Sequence, residues 1–74
     1  MIKAIAEALM DPSKVIQSLS DFQAQMYYRY YFSTKVGDKY LCVVVKVKGQ
    51  DAFILTAYLT NKIKRGVILW PKRI

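Results

Sequence analysis

The stretch that decides the fold is Ala24-Gln25-Met26-Tyr27-Tyr28-Arg29-Tyr30-Tyr31-Phe32-Ser33, where side-chain character repeats at every second position. Ala24, Met26, Tyr28, Tyr30 and Phe32 fall on one face, and Gln25, Tyr27, Arg29, Tyr31 and Ser33 on the other. That period, in a run rich in aromatic residues, predicts a β-strand. Downstream, Gly37-Asp38 marks a hairpin turn. A second strand from about Lys39 to Lys48 sets Leu41, Val43, Val45 and Val47 against Tyr40, Cys42, Val44, Lys46 and Lys48. Gly49-Gln50-Asp51 is the next turn, and Ala52 to Thr60 a third strand. There Phe53, Leu55, Ala57 and Leu59 oppose Ile54, Thr56, Tyr58 and Thr60.

Turn length sets how these faces meet, because a slip of one residue reverses every side chain. A two-residue loop at Gly37-Asp38 pairs Val36 with Lys39, and hence Arg29 with Lys46. A three-residue loop at Gly49 to Asp51 pairs Lys48 with Ala52, and hence Val44 with Thr56 and Cys42 with Tyr58. Both registers leave one face apolar. The other presents Tyr27, Arg29, Tyr31, Lys46, Lys48, Thr56 and Tyr58.

Upstream, Ile2, Ile5, Ala6 and Leu9 recur at helical spacing with Lys3 and Glu7 off the stripe, which predicts a short amphipathic helix. Asp11-Pro12 reads as an N-cap followed by proline at the first helical position. A second helix carrying Val15, Ile16 and Leu19 is expected there, ending near Ser20-Asp21. After the third strand, Asn61-Lys62-Ile63-Lys64-Arg65-Gly66 reads as a basic turn or single helical turn closed by glycine. Val67 to Trp70 is a short apolar run, suited to a fourth strand or a docked tail. The expected fold is α+β: two short N-terminal helices packed on one face of a three- to four-stranded antiparallel sheet.

The chain of 74 residues is expected to be one domain, 1–74, of limited burial, with a homodimer as one way to add more. Its net charge of +7 is unevenly placed. Residues 1–38 balance four cations with four carboxylates, whereas residues 39–74 carry eight cations against Asp51 alone. That asymmetry points to a positive face and an anionic partner. Cys42 is the only cysteine and there is no histidine, so neither an internal disulfide nor a cysteine zinc site is expected. No cofactor and no metal are expected. No stretch is long enough to span a bilayer and no signal-peptide pattern is visible, so the expected setting is cytoplasmic, away from membranes.

Arg29 and Lys46, paired across strands, would hold a phosphate between a planar fork and a point charge. Hydroxyls of Thr56 and Tyr58 would donate to phosphate oxygens, orient a ribose hydroxyl or relay a proton. Tyr27 and Tyr31 flank Arg29, where bases could stack. Lys48, Lys62, Lys64 and Arg65 extend the basic surface. Each group also has a plainer role: solvated cations, strand-forming Thr and Tyr, core or interface aromatics.

The order of Asp11-Pro12-Ser13-Lys14-Val15-Ile16-Gln17-Ser18, Tyr28-Arg29-Tyr30, YLCVVVKV from Tyr40, FILTAYLT from Phe53 and Lys64-Arg65-Gly66 before Leu69-Trp70 resembles small nuclease-like proteins of phages and mobile elements. These belong to the BECR group, which joins barnase, EndoU, nuclease colicins and RelE-like toxins. The resemblance covers residues 10–70 and implies metal-independent RNA cleavage through the ribose 2′-hydroxyl. It implies that Arg29 is the group's strand arginine, and Thr56 with Tyr58 its third-strand hydroxyls; Lys46 joins them through the register. The expectation is an RNA-directed protein, an endoribonuclease of toxin or mobile-element type. The alternatives are a non-catalytic nucleic-acid-binding module, or a protein-interaction domain meeting an acidic partner such as an antitoxin or inhibitor.

Overall fold

The computed structural model describes residues 2–34 and 37–71. Along the chain run helix α1 (Ile2–Met10) and strands β1 (Lys14–Ser18), β2 (Ala24–Thr34), β3 (Gly37–Lys48), β4 (Asp51–Thr60) and β5 (Gly66–Trp70). The strands form one sheet in the order β4-β3-β2-β1-β5, each neighbour antiparallel. The expected pair of helices on a three- to four-stranded sheet is therefore corrected to a single helix and five strands.

The segment expected as the second helix is β1. Val15 and Ile16 are both buried although they point to opposite faces. A two-turn helix hides one stripe, whereas a strand between two others and covered on both faces hides every residue. Adjacent β-branched side chains also favour the strand. Pro12 ends α1 instead of opening a new helix, because a proline disfavours helical geometry at the residue before it. Residues 67–70, expected as a fourth strand or a tail, form β5 with Gly66 and pair with β1 at the sheet's edge. Gly66 opens that strand and closes no helical turn. A Cβ there would stand 2.2 Å from the Gln17 carbonyl oxygen, so only glycine allows β5 to lie this close.

The central hairpin departs from its expected register. Arg29 faces Leu41, and Lys46 faces Ala24. Thr34 pairs with Gly37, so the connection is Lys35-Val36, which lies outside the described residues, and not Gly37-Asp38. Moving the turn by two positions changes the register by an even number and keeps the faces. The bulge between Tyr31 and Thr34 adds one more residue on β2 and reverses them. At the next hairpin, Lys48 pairs with Asp51 around a two-residue Gly49-Gln50 turn, with Gly49 at φ 62°. A bulge between Val44 and Val45 leaves Leu55 unpaired and restores the expected partners, Val44 with Thr56 and Cys42 with Tyr58.

These shifts divide the core between the two faces. On one, Ala8 of α1 packs with Leu41, Val43 and Val45, joined by Ile5, Leu9, Tyr27 and Tyr31. On the other, Ile16, Met26, Tyr28 and Cys42 pack with Tyr40, Val44, Tyr58 and Ile63. Tyr28 and Cys42 are fully buried.

Among the described residues no helix lies over this second face. Its cover is the connection from β4 to β5, which must cross the sheet because its ends lie on opposite edges. The register sets Thr60 level with Tyr30 and Gly66 opposite Ser18, near the level of Ala24, so the connection also runs back along the strands, and its six peptide steps reach at most roughly 21 Å. The connection is thus a strap with little slack. Ile63 seats in the apolar cluster, and the Lys64 amide donates to the Tyr28 hydroxyl at 3.1 Å.

Candidate nucleic-acid interface

The expected cluster of Arg29, Lys46, Thr56 and Tyr58 does not come together on one surface. Register places Arg29 on the helix-covered face and the other three on the strap-covered face. Arg29 is a docking group for α1. Its Nη1 donates to the Asp11 carbonyl oxygen at 2.6 Å and to Asp11 Oδ2 at 3.0 Å, and its Nε lies 3.7 Å from Glu7 Oε2. A cation on the carbonyl end of a helix is also favoured by the helix dipole. The hydrogen bond to Asp11, then the nearby Tyr31 and the two carboxylates, raises the guanidinium pKa against a smaller opposing effect of burial. Tyr27 and Tyr31, expected to lie exposed for base stacking, pack instead against the helix-face core. The Tyr31 ring also lies 5.7 Å from the Arg29 guanidinium carbon.

Lys46 is engaged as well. Its ammonium bonds Asp21 Oδ2 in the turn between β1 and β2. Asp21 in turn accepts from the Gln23 amide at Oδ1, 3.0 Å away, and its carbonyl accepts from the Ala24 amide. The Lys46 hydrogen bond and then the Gln23 amide hold the Asp21 carboxyl below its ordinary value of 3.8. Tyr58 stands opposite Cys42, half-buried. Burial first, and then its hydrogen bond with Cys42, pushes its phenol up to about 12. A phenol raised that far exchanges its proton poorly near neutrality. Thr56 is exposed on the same face.

What the strap-covered face does gather is a groove of about 290 Å³ between the β1–β2 turn and the strap. Ala24, Met26 and Val44 line it from the sheet, Ser18 from the end of β1, Leu19 and Ser20 from the turn, and Lys64 and Arg65 from the strap. Lys46 and Thr56 are the cross-strand partners of Ala24 and Val44, so both stand beside it. Lys48 lies further along β3, and Lys62 begins the strap, its amide bonded to Thr60 Oγ1. All three strap cations are exposed, and none forms an ion pair among the described residues. Among those residues no group of three or more His, Cys, Asp or Glu converges, and no helix is long and apolar enough to cross a membrane.

The groove's turn wall escaped the sequence reading, which placed Ser18, Leu19 and Ser20 in and after a helix. A visible signal was the alternation of small hydroxyl and apolar residues in Ser18-Leu19-Ser20-Asp21-Phe22, with Asp21 able to fold a turn by bonding its own backbone two residues on. Leu19 and Phe22 are both largely exposed in that turn.

Comparison with protein-family models, with curated proteins and with solved structures finds no match. No family, relative or solved structure therefore bears on the expected resemblance to the BECR group.

Proposed function

We propose that the protein binds single-stranded RNA along the strap groove, gripping the phosphate backbone without cutting it. The observation that carries this reading is the contrast in charge pairing. Arg29 and Lys46 are each neutralised by carboxylates, while Lys64 and Arg65 border a groove with no carboxylate in its lining. Arginine and lysine there provide a fork and a point charge for successive phosphates. Ser18 Oγ holds the turn, accepting from the Ser20 and Asp21 amides and bonding the Ser20 hydroxyl, so Ser20 is the hydroxyl with capacity left for a ribose 2′-hydroxyl, and the exposed Phe22 in the same turn offers a ring for an unpaired base. RNA is also the target that the BECR likeness implies. Separation of Arg29 from Thr56 and Tyr58 on opposite faces favours binding over the nuclease reading.

Binding of a labelled single-stranded RNA, titrated over a range of salt, tests this. Phosphate contacts give a linear fall of log affinity with log salt. The double variant Lys64→Ala, Arg65→Ala should lose about tenfold in affinity and flatten the slope by about 1.4, the share of two single-strand contacts. Absence of binding at low salt, or a slope unchanged in the double variant, would overturn the assignment. The same RNA should remain intact without metal. If it acquires 2′,3′-cyclic ends that vanish with Arg29→Ala, the nuclease reading replaces this one.

A further inference from the structure

We propose that β4 is a seam where two copies of this chain join edge to edge, antiparallel, into one continuous sheet. Edge strands are ordinarily blunted by lysine, proline, bulges or shortness, because their unpaired backbone groups invite another strand. Of these protections β4 has only the bulge at Leu55. From Ala52 to Thr60 it carries no charge and no proline, and Phe53, Ile54, Leu55 and Leu59 are each about half exposed.

Beside the seam, the end of α1 leaves an open apolar cleft of about 440 Å³ between Leu9, Tyr27, Val45 and Ala52 to Ile54.

Charge selects this edge and this partner. A two-fold antiparallel pairing turns Asp51, at the start of one β4, toward Lys62, just past the end of the other. The opposite edge is less suitable: Lys64-Arg65 lead into β5, and β5 itself carries no carboxylate, so its self-pairing offers these cations no counter-charge. A contact of β4 with β5 would leave one of each unpaired on every new copy and grow a filament, whereas β4 with β4 closes. The two-fold axis stands perpendicular to the sheet, so both straps share one face of the pair and both helices the other. Because each chain carries +7, added salt screens their repulsion and favours pairing. That dependence is opposite in sign to the one expected for RNA.

Sedimentation equilibrium from low micromolar to near-millimolar protein, at low and moderate salt, tests the seam. The expected result is a mass of two chains at the upper concentrations, held or strengthened by salt. Leu55→Lys should raise the dissociation constant by at least about tenfold while circular dichroism stays unchanged, and Ile68→Lys on β5 should leave it alone. Should Leu55→Lys fail to fold, the charge exchange decides instead: Asp51→Lys should weaken pairing, and adding Lys62→Asp should restore it. Single chains at every concentration overturn the proposal. So does a dimer broken by Ile68→Lys but indifferent to β4 changes, or a mass that climbs without limit.

Discussion

The two faces of this sheet are closed by different means, and the difference decides where positive charge is left to act. On one face a nine-residue helix is fastened through a side chain, Arg29, whose guanidinium is occupied by Asp11 and Glu7. On the other a short strap is fastened through a half-buried isoleucine and a backbone amide, Ile63 and Lys64 N–H. Because the strap's anchors are backbone and apolar, its lysine and arginine side chains are not needed to hold it. A cation's availability thus depends on what else its segment relies on for attachment, and net charge alone does not reveal it.

The largest expected effect comes from removing the strap's footing. Tyr28 is fully buried, and its hydroxyl both receives the Lys64 amide and donates toward the Met26 sulfur at 3.6 Å. Tyr28→Ala should cost about 3–5 kcal/mol in urea unfolding, in the range for a large aromatic deleted from a core. Tyr28→Phe sharpens the contrast. It keeps the ring and should cost about 1 kcal/mol, while amide exchange at Lys64 speeds up relative to the rest of the sheet. Equal acceleration across the whole sheet would mean that the strap is not a separately held element.

Arg29→Ala is expected to act through the helix face alone. With the guanidinium gone, the Asp11 carbonyl and two carboxylates lose their shared partner, and the unfolding midpoint should fall. RNA affinity and its salt slope should stay at the wild-type values. A loss of affinity in a variant that remains folded would show that the helix face takes part in binding.

Much of the sheet was legible because its strands alternate strongly, and the two hairpins were readable from Gly37-Asp38 and Gly49-Gln50-Asp51 to within a few positions. What could not be read was a pair of bulges. One between Tyr31 and Thr34 exchanged the faces of β2 relative to β3, and one between Val44 and Val45 compensated for a shorter turn. Neither has a signature in residues such as Phe32-Ser33 or Leu55, since a bulge is selected by the fit of the whole ladder. Three pieces of the candidate surface, Lys62, Lys64 and Arg65, were recognisable from charge alone. Their companions Ser18, Leu19 and Ser20 were hidden by the reading of Asp11-Pro12 as a helix start, where proline in fact ends α1. Arg29 was misplaced for a related reason: its carboxylate partners are distant in sequence and come together only once α1 lies down on the sheet.

The smallest effect separates stability from binding at a single residue. Asp21 is held below 3.8 because Lys46 and the Gln23 amide favour its charged form. A carboxyl whose folded pKa lies below its unfolded one contributes stability above the unfolded value and loses it as pH falls through the folded one. The unfolding midpoint should therefore be flat near neutrality and decline below about pH 4, and Asp21→Asn should lower the neutral plateau and remove part of that decline. The same substitution releases Lys46 beside the groove, next to Ala24. RNA should then bind Asp21→Asn more tightly than wild type, with a salt slope steeper by about 0.7, one more single-strand phosphate contact. A variant that is less stable yet binds better places Lys46 among the groove's latent cations. One that loses stability and leaves the slope unchanged confines Lys46 to holding the turn.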